Sequence, residues 1–165
     1  DLGTGTGAIA LALASELPAW RWLGVDLMKD AVELARRNST RNKISNCIFE
    51  QSSWFENVPK QKYDLIVSNP PYIDPTDKHL QQGDVRFEPL TALISEQQGL
   101  ADIKLIISKA PEFLAHGAPL FIEHGFDQGE AVRTIFSEHQ YQNIKTIKDL
   151  SGNDRITIGH LLELE

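Results

Sequence analysis

The sequence has 165 residues, enough for one domain with a proper core. Hydrophobic residues make up 41% and charged residues 24%, a globular composition, and no run approaches the roughly 20 apolar residues a membrane span needs. The net charge of −7 and the absence of a basic run argue against a chain whose main ligand is a nucleic-acid backbone. Cys47 is the single cysteine, so no intrachain disulfide can form, which suits a reducing cytosol.

The chain opens without Met, on Asp1-Leu2-Gly3, which reads as the end of a buried strand. The sequence is therefore expected to be a piece of a longer chain. Ala8 to Leu17 is Ala/Leu-rich and predicts a helix ended by Pro18. A short strand follows over Arg21 to Val25, stopping at Asp26. Lys29 to Asn38 predicts a second helix with Ala31, Val32, Leu34 and Ala35 on its apolar side. Arg36, Arg37, Arg41 and Lys43 lie on or just after it and read as a solvated face. Cys47 to Gln51 is a third apolar run. Tyr63 to Ser68 reads as a buried strand ended by Asn69-Pro70-Pro71.

Residues 73 to 98 are irregular, with Pro75 and Pro89, and a stretch of that length is expected to be functional or mobile. Gly99 to His116 predicts a helix that Pro111 kinks or breaks. Pro119 to Glu123 is a strand and Gly129 to His139 a helix. Asn143 to Leu150 and Ile156 to Leu162 are two strands joined by the turn Ser151-Gly152-Asn153-Asp154. Alternating strands and helices imply a doubly wound α/β sheet, and the last two strands add an antiparallel C-terminal edge pair.

Two features carry chemistry. The first is Asp1-Leu2-Gly3-Thr4-Gly5-Thr6-Gly7, which runs straight into a helix. Its glycines permit positive φ and close approach, and the helix start offers free N–H donors. Asp26, at the end of the next strand, is placed to accept from two ribose hydroxyls. The spacing G-x-G-x-G differs from the dinucleotide G-x-G-x-x-G, and Asp1 suits a ligand bearing an amino group. This resembles the first motif of class I S-adenosyl-L-methionine methyltransferases. The indole of Trp54, after the third apolar run, is a candidate to stack on adenine.

The second feature is Asn69-Pro70-Pro71-Tyr72 at the C-terminal end of a strand, where open α/β sheets bind ligands. The Asn69 side-chain oxygen and the Pro70 carbonyl can each accept one N–H of a planar NH₂ group. Tyr72 offers a flat face, and neither proline brings a competing N–H. Such a turn suits methyl transfer to an amide or amino nitrogen, whose delocalised lone pair needs orientation more than a base. The tetrapeptide resembles that of amino-methyltransferases acting on adenine or cytosine amino groups and on glutamine amides.

The run His79-Leu80-Gln81-Gln82-Gly83-Asp84-Val85-Arg86-Phe87-Glu88-Pro89-Leu90-Thr91-Ala92-Leu93 is more specific. With Phe121 to Gly125, Gln128 to Val132 and Asp149 to Arg155, it resembles the bacterial release-factor glutamine methyltransferases across essentially the whole chain. The resemblance implies a Rossmann-like class I methyltransferase domain over residues 1–165 that uses S-adenosyl-L-methionine. It implies cofactor contacts at Gly3, Thr4, Gly5, Thr6, Gly7, Asp26, Trp54 and Asn69. Substrate contacts are implied at Asn69, Pro70, Pro71 and Tyr72, with Asn69 and Pro70 catalytic.

The implied partners are class 1 peptide chain release factors, methylated at the glutamine of their Gly-Gly-Gln motif. A cytoplasmic monomer is expected, with no metal, direct nucleic-acid or membrane partner. A helical N-terminal domain and the start of the first strand are expected to precede Asp1. The family commonly has Asp before the Trp; here Ser53 stands there and would accept from an adenine amino group more weakly. Arg86 and Glu88 are expected to order the loop, touch substrate or form a surface pair, and His79 and His124 to be structural. The competing readings are a ribosomal-protein glutamine or a nucleic-acid amino group as acceptor, a non-catalytic binding module, and a nicotinamide dehydrogenase.

Overall fold

The computed structural model describes residues 1–73, 75 and 93–162. They fall into two compact units, Asp1–Lys60 and Gln61–Glu165.

In the first unit, β1 (Trp22–Asp26) and β2 (Cys47–Gln51) pair in parallel, and Leu2 bridges Val25 in the same direction. Helix α1 (Ala8–Glu16) buries Ala10, Leu11 and Ala14, and the two small alanines let it approach the strands closely. It stops one residue before the expected Leu17, ahead of Pro18. The Asn46 amide donates to the freed Ala14 carbonyl at 3.0 Å.

Helix α2 (Lys29–Arg41) buries Val32, Ala35 and Ser39, one stripe at i, i+3 and i+7. Asp30 in its first turn and Arg41 in its last complement the helix dipole. It runs three residues past the expected end because its C-terminus is stitched by side chains. Asn42 donates to the Asn38 carbonyl, Ser39 donates to the Ile44 carbonyl, and Lys43 takes the left-handed φ of 57° usually left to glycine. Arg36 donates two hydrogen bonds to the Phe49 carbonyl, so one member of the basic cluster clamps the helix to β2. Phe49, Val25, Trp22 and Leu2 form the core, each large side chain contributing about 1.5–3 kcal/mol. Burial pushes the Cys47 thiol up to about 11, so this is an inert core residue.

The second unit holds a sheet of order β3-β4-β6-β5, made of β3 (Ile66–Ser68), β4 (Pro119–Glu123), β5 (Tyr141–Lys148) and β6 (Asp154–Leu161). β3 and β4 are parallel, and β6 runs antiparallel to both neighbours. The expected C-terminal antiparallel pair is present, with β6 inserted beside β4. β3 is shorter than the expected Tyr63 to Ser68. Tyr63 does pair, with Leu114, but the opposing chain turns at Gly117 before Leu120 meets Ile66, and the ladder breaks at Asp64-Leu65.

After the short turn α3 (Glu96–Gly99), α4 (Ala101–Lys109) buries Ile103, Ile106 and Ile107 and passes into a 3-10 turn over Ala110–Glu112. Pro111 ends it as expected, since it has no N–H for the Ile107 carbonyl four residues back. The buried Tyr141 hydroxyl takes over that role at 3.1 Å. Helix α5 (Gly129–Glu138) packs Val132, Ile135 and Phe136 on β5 and β6, and the Phe136 and Tyr141 rings meet edge to face. β5 begins two residues earlier than expected, with an irregularity between Gln142 and Lys145 where Asn143 has φ 53°. Asp149 organises the following turn by accepting from the Ser151 and Asn153 amides.

Candidate functional site

The first unit carries the Gly loop. Gly3, Gly5 and Gly7 have φ of 70°, 53° and 81°, so the loop is a chain of left-handed turns that L side chains resist. Asp1 braces it from behind: its Oδ2 accepts from the Thr4 hydroxyl at 2.6 Å and from the Ala10 amide at 3.2 Å. Its Oδ1 is buried with no hydrogen-bond partner among the described residues. A buried, unsatisfied carboxylate oxygen is costly unless a donor arrives, and an amino group would supply one. Among the described residues nothing lies within 4 Å of where a Cβ on Gly5 would be, which leaves the backbone there room for a ligand.

Asp26 is tied to the same loop. Its Oδ2 accepts from the Gly5 amide at 2.8 Å and its Oδ1 from the Met28 amide at 2.9 Å. These are the partners of the carboxylate among the described residues, and each oxygen has a second lone pair of the kind two ribose hydroxyls require. Trp54 lies here as well, with its indole 3.3 Å from the position of a Cβ on Gly3. Its φ of 48° is unusual for an aromatic residue and re-aims the ring onto the loop. Ser52 fixes that turn, donating to the Trp54 carbonyl and accepting from the Asn57 amide. Asp1, Gly3 to Gly7, Asp26 and Trp54 thus converge, and the donor and acceptor set fits an amino-bearing nucleoside. Leu27 and Met28, exposed beside Asp26 at 59% and 52%, were not singled out from sequence. The signal was an apolar dipeptide directly after the strand-end acid.

The second unit carries Asn69 to Tyr72. Asn69 is exposed at the end of β3, Pro70 is fully buried, and Pro71 and Tyr72 are half-buried. Every peptide bond of the turn is trans. The proline anchors the turn while Asn69 presents its amide outward. Downstream, the Ile73 amide donates to the Leu93 carbonyl and the Ser95 amide to the Ile73 carbonyl, closing a parallel bridge with Ile94. The expectations for His79, Arg86 and Glu88 lie outside the described residues.

Two residues at this turn had escaped the sequence reading. Gln128 donates to the Tyr72 carbonyl at 2.9 Å. A Cβ on Gly99, which has φ 77°, would sit 2.0 Å from the same carbonyl oxygen. Gly99 was expected to open a helix, and its contact with the Tyr72 carbonyl had no local signal.

His124, after β4, is structural as expected. Its Nδ1 lies 2.8 Å from the Gly125 carbonyl, which can only accept, so Nδ1 carries the proton. Nε2 then accepts from the Thr157 hydroxyl, Thr157 accepts from the Thr146 hydroxyl, and Thr146 accepts from the Arg133 guanidinium. With the imidazole neutral, each hydroxyl in this chain donates once and accepts once. Burial, the largest influence, also holds the His124 pKa below its ordinary value. Among the described residues no group of three or more His, Cys, Asp or Glu can hold a metal ion, and no helix is long and apolar enough to cross a membrane.

Residues 1–86 match the model of the methyltransferase small domain family. The release factor glutamine methyltransferase of Vibrio cholerae is 58% identical over 160 residues, covering 96% of this chain and 56% of that protein. The proteins of the same name from Aliivibrio fischeri and Escherichia coli are 56% and 54% identical, again over 96% of this chain. The chain therefore spans little more than half the length of these relatives. A methyltransferase structure from Pyrococcus furiosus superposes with a TM-score of 0.73 at 20% identity, covering 98% of this chain and 74% of that one. A ribosomal protein L11 methylase from Lactobacillus delbrueckii subsp. bulgaricus gives 0.70 at 20% identity, with 98% and 68% covered. These two likenesses establish the fold, the Rossmann-like sheet of class I methyltransferases.

Proposed function

Because this chain belongs to the methyltransferase small domain family, we propose that it transfers a methyl group from S-adenosyl-L-methionine to the side-chain amide of the Gly-Gly-Gln glutamine of class 1 peptide chain release factors. The observation that carries the chemistry is the outward-facing Asn69 on a turn anchored by the buried Pro70. The identity of 54–58% to release factor glutamine methyltransferases supports the choice of acceptor.

In this reading the cofactor supplies an electrophilic methyl group on a sulfonium. Asp1 receives its amino group, Asp26 its ribose hydroxyls, and Trp54 the adenine face. Gly3, Thr4, Gly5, Thr6 and Gly7 form the backbone cradle. The Asn69 side-chain oxygen and the Pro70 carbonyl accept the two amide protons of the substrate glutamine, and Tyr72 and Pro71 flank its plane. An amide nitrogen is a weak nucleophile because its lone pair is delocalised into the carbonyl. Two fixed acceptors favour the positive charge that grows on nitrogen and hold the lone pair on one line, so orientation and electrostatics carry the rate. As the N–C bond forms, the sulfur–methyl bond breaks and its electron pair leaves on a neutral thioether. The proton lost from the methylated nitrogen passes to water, so no side-chain base is needed. The neutral, buried His124 is committed to Thr157 and Gly125.

The reading carries with it a cytoplasmic, monomeric enzyme whose partner is protein. The net charge of −7 suits that better than a nucleic-acid substrate. The test is incubation of the full-length protein with methyl-labelled cofactor and a release factor, followed by peptide mapping. Label on the Gly-Gly-Gln glutamine is expected. Label on a ribosomal protein or nucleic acid instead, with none on the release factor, overturns the assignment.

A further inference from the structure

We infer that Gln128 is a positioning residue for the acceptor turn, acting through the backbone of Tyr72. The inference rests on the reading of Asn69 to Tyr72 as the turn that holds the substrate amide.

The Gln128 side chain makes three hydrogen bonds to three separate segments. Its Nε2 donates to the Tyr72 carbonyl at 2.9 Å and to the Gln98 carbonyl at 3.0 Å. Its Oε1 accepts from the Gly125 amide at 2.8 Å. The amide is thus used on both ends, and its orientation is fixed by chemistry: only NH₂ can face two carbonyls, and only C=O can face an N–H. The side chain cannot flip without losing all three bonds.

Each of the three segments is itself constrained. Gln97, Gln98 and Gly99 have φ of 56°, 61° and 77°, a run of left-handed residues that presents the Gln98 carbonyl to Gln128. Gly99 lets that run come against the Tyr72 carbonyl where any Cβ would collide. Gly125 is held from its other face by His124 Nδ1 at 2.8 Å. His124 in turn ends the Thr157, Thr146 and Arg133 chain. Gln128 sits at the N-terminal boundary of α5, so its backbone moves with that helix. The result is a continuous polar strut from α5 and the β5–β6 pair to the carbonyl that follows Pro71.

A rigid Pro-Pro pair fixes its own φ angles but not the direction in which the turn leaves them. Gln128 supplies that second anchor. Loss of the strut lets Tyr72 drift, and a misplacement on the scale of an ångström costs far more in turnover than in substrate or cofactor affinity.

The experiment uses the full-length protein and two variants, Gln128→Met and Gln128→Glu. Methionine keeps the length and removes all three bonds. Glutamate keeps the acceptor for Gly125 but sets a carboxylate against two carbonyls. Both are expected to lower kcat by about tenfold or more, with the cofactor Kd changed by less than about twofold. Amide exchange should accelerate at residues 72–73 and 98–99 in both variants while Leu120 and Ile122 in β4 keep their protection. Unchanged kcat together with unchanged exchange at 72–73 overturns the inference. So does a loss of protection spread evenly through β4, which would make Gln128 a general stability residue. If the unaltered protein fails to methylate a release factor, the functional reading falls. The exchange measurement then decides alone whether Gln128 holds Tyr72.

Discussion

The Gly5 amide donates to the Asp26 carboxylate at 2.8 Å, joining two motifs that lie 21 residues apart. Asp26 therefore does two jobs. It holds the Gly loop in its left-handed course, and in the proposed reading it offers a further lone pair on each oxygen to a ligand. A carboxylate that only met ribose would be mobile until the cofactor arrived. Here the Gly5 and Met28 amides fix it beforehand, so less ordering remains to be done on binding.

Replacement of Asp26 by Ala removes the acceptors that the proposed reading gives to the ribose and releases the Gly5 amide together. Cofactor binding is expected to weaken by about 2–4 kcal/mol, the range for charge-assisted hydrogen bonds lost as a pair. Isothermal calorimetry on the full-length protein checks this. An affinity equal to that of the unaltered protein excludes the ribose role.

Asn69→Ala leaves Pro70 in its buried socket and removes only the outward amide. A fall in kcat of about 10²–10³ is expected, comparable to the loss of one donor or acceptor in a preorganised polar site. Single-turnover methylation of a release factor measures it. A rate within a few-fold of normal assigns the orienting role elsewhere.

The pH dependence of stability follows from His124. Burial holds its folded pKa below the unfolded value of 6.5, so between the two the unfolded chain binds a proton that the folded chain does not. Stability therefore rises with pH in that window and is fully present above about 6.5. Acidification below that value is expected to lower the urea midpoint, and His124→Gln should flatten the slope. A midpoint that increases on acidification through this window contradicts a neutral, buried His124.

Tyr141→Phe keeps the ring against Phe136 but leaves the Ile107 carbonyl without its donor. A destabilisation of about 1–3 kcal/mol is expected, the cost of an unsatisfied buried acceptor. Urea denaturation reads it directly. No change in the midpoint would mean that another group satisfies the Ile107 carbonyl.

Much of the fold was legible because local rules and tertiary demands agree along this chain. The Ala-rich run of α1, the short apolar runs of β1, β2 and β4, and the break at Pro111 formed within a residue of where propensity placed them. The misplaced ends have a common cause. α2 outran its expected stop because Ser39, Asn42 and Lys43 together do what a glycine would do, and no single one of them is a stop signal. β3 was cut short by its partner, since a strand ends where the opposing chain turns away, here at Gly117.

The sequence by itself determined which residues to expect at a site, the glycines, Asp26 and Asn69-Pro70-Pro71-Tyr72, because that expectation depends on short-range rules: which residues tolerate positive φ, which lack an N–H, which carry two acceptor oxygens. Tertiary structure alone decided what holds those residues in place. Gln128 reaches Tyr72 across 56 residues, Trp54 folds onto Gly3, and two threonine hydroxyls link His124 to Arg133. A glutamine, a threonine or a tryptophan has no preferred partner in sequence. Its hydrogen bond or packing contact exists only once the strands and helices have brought a matching group within reach.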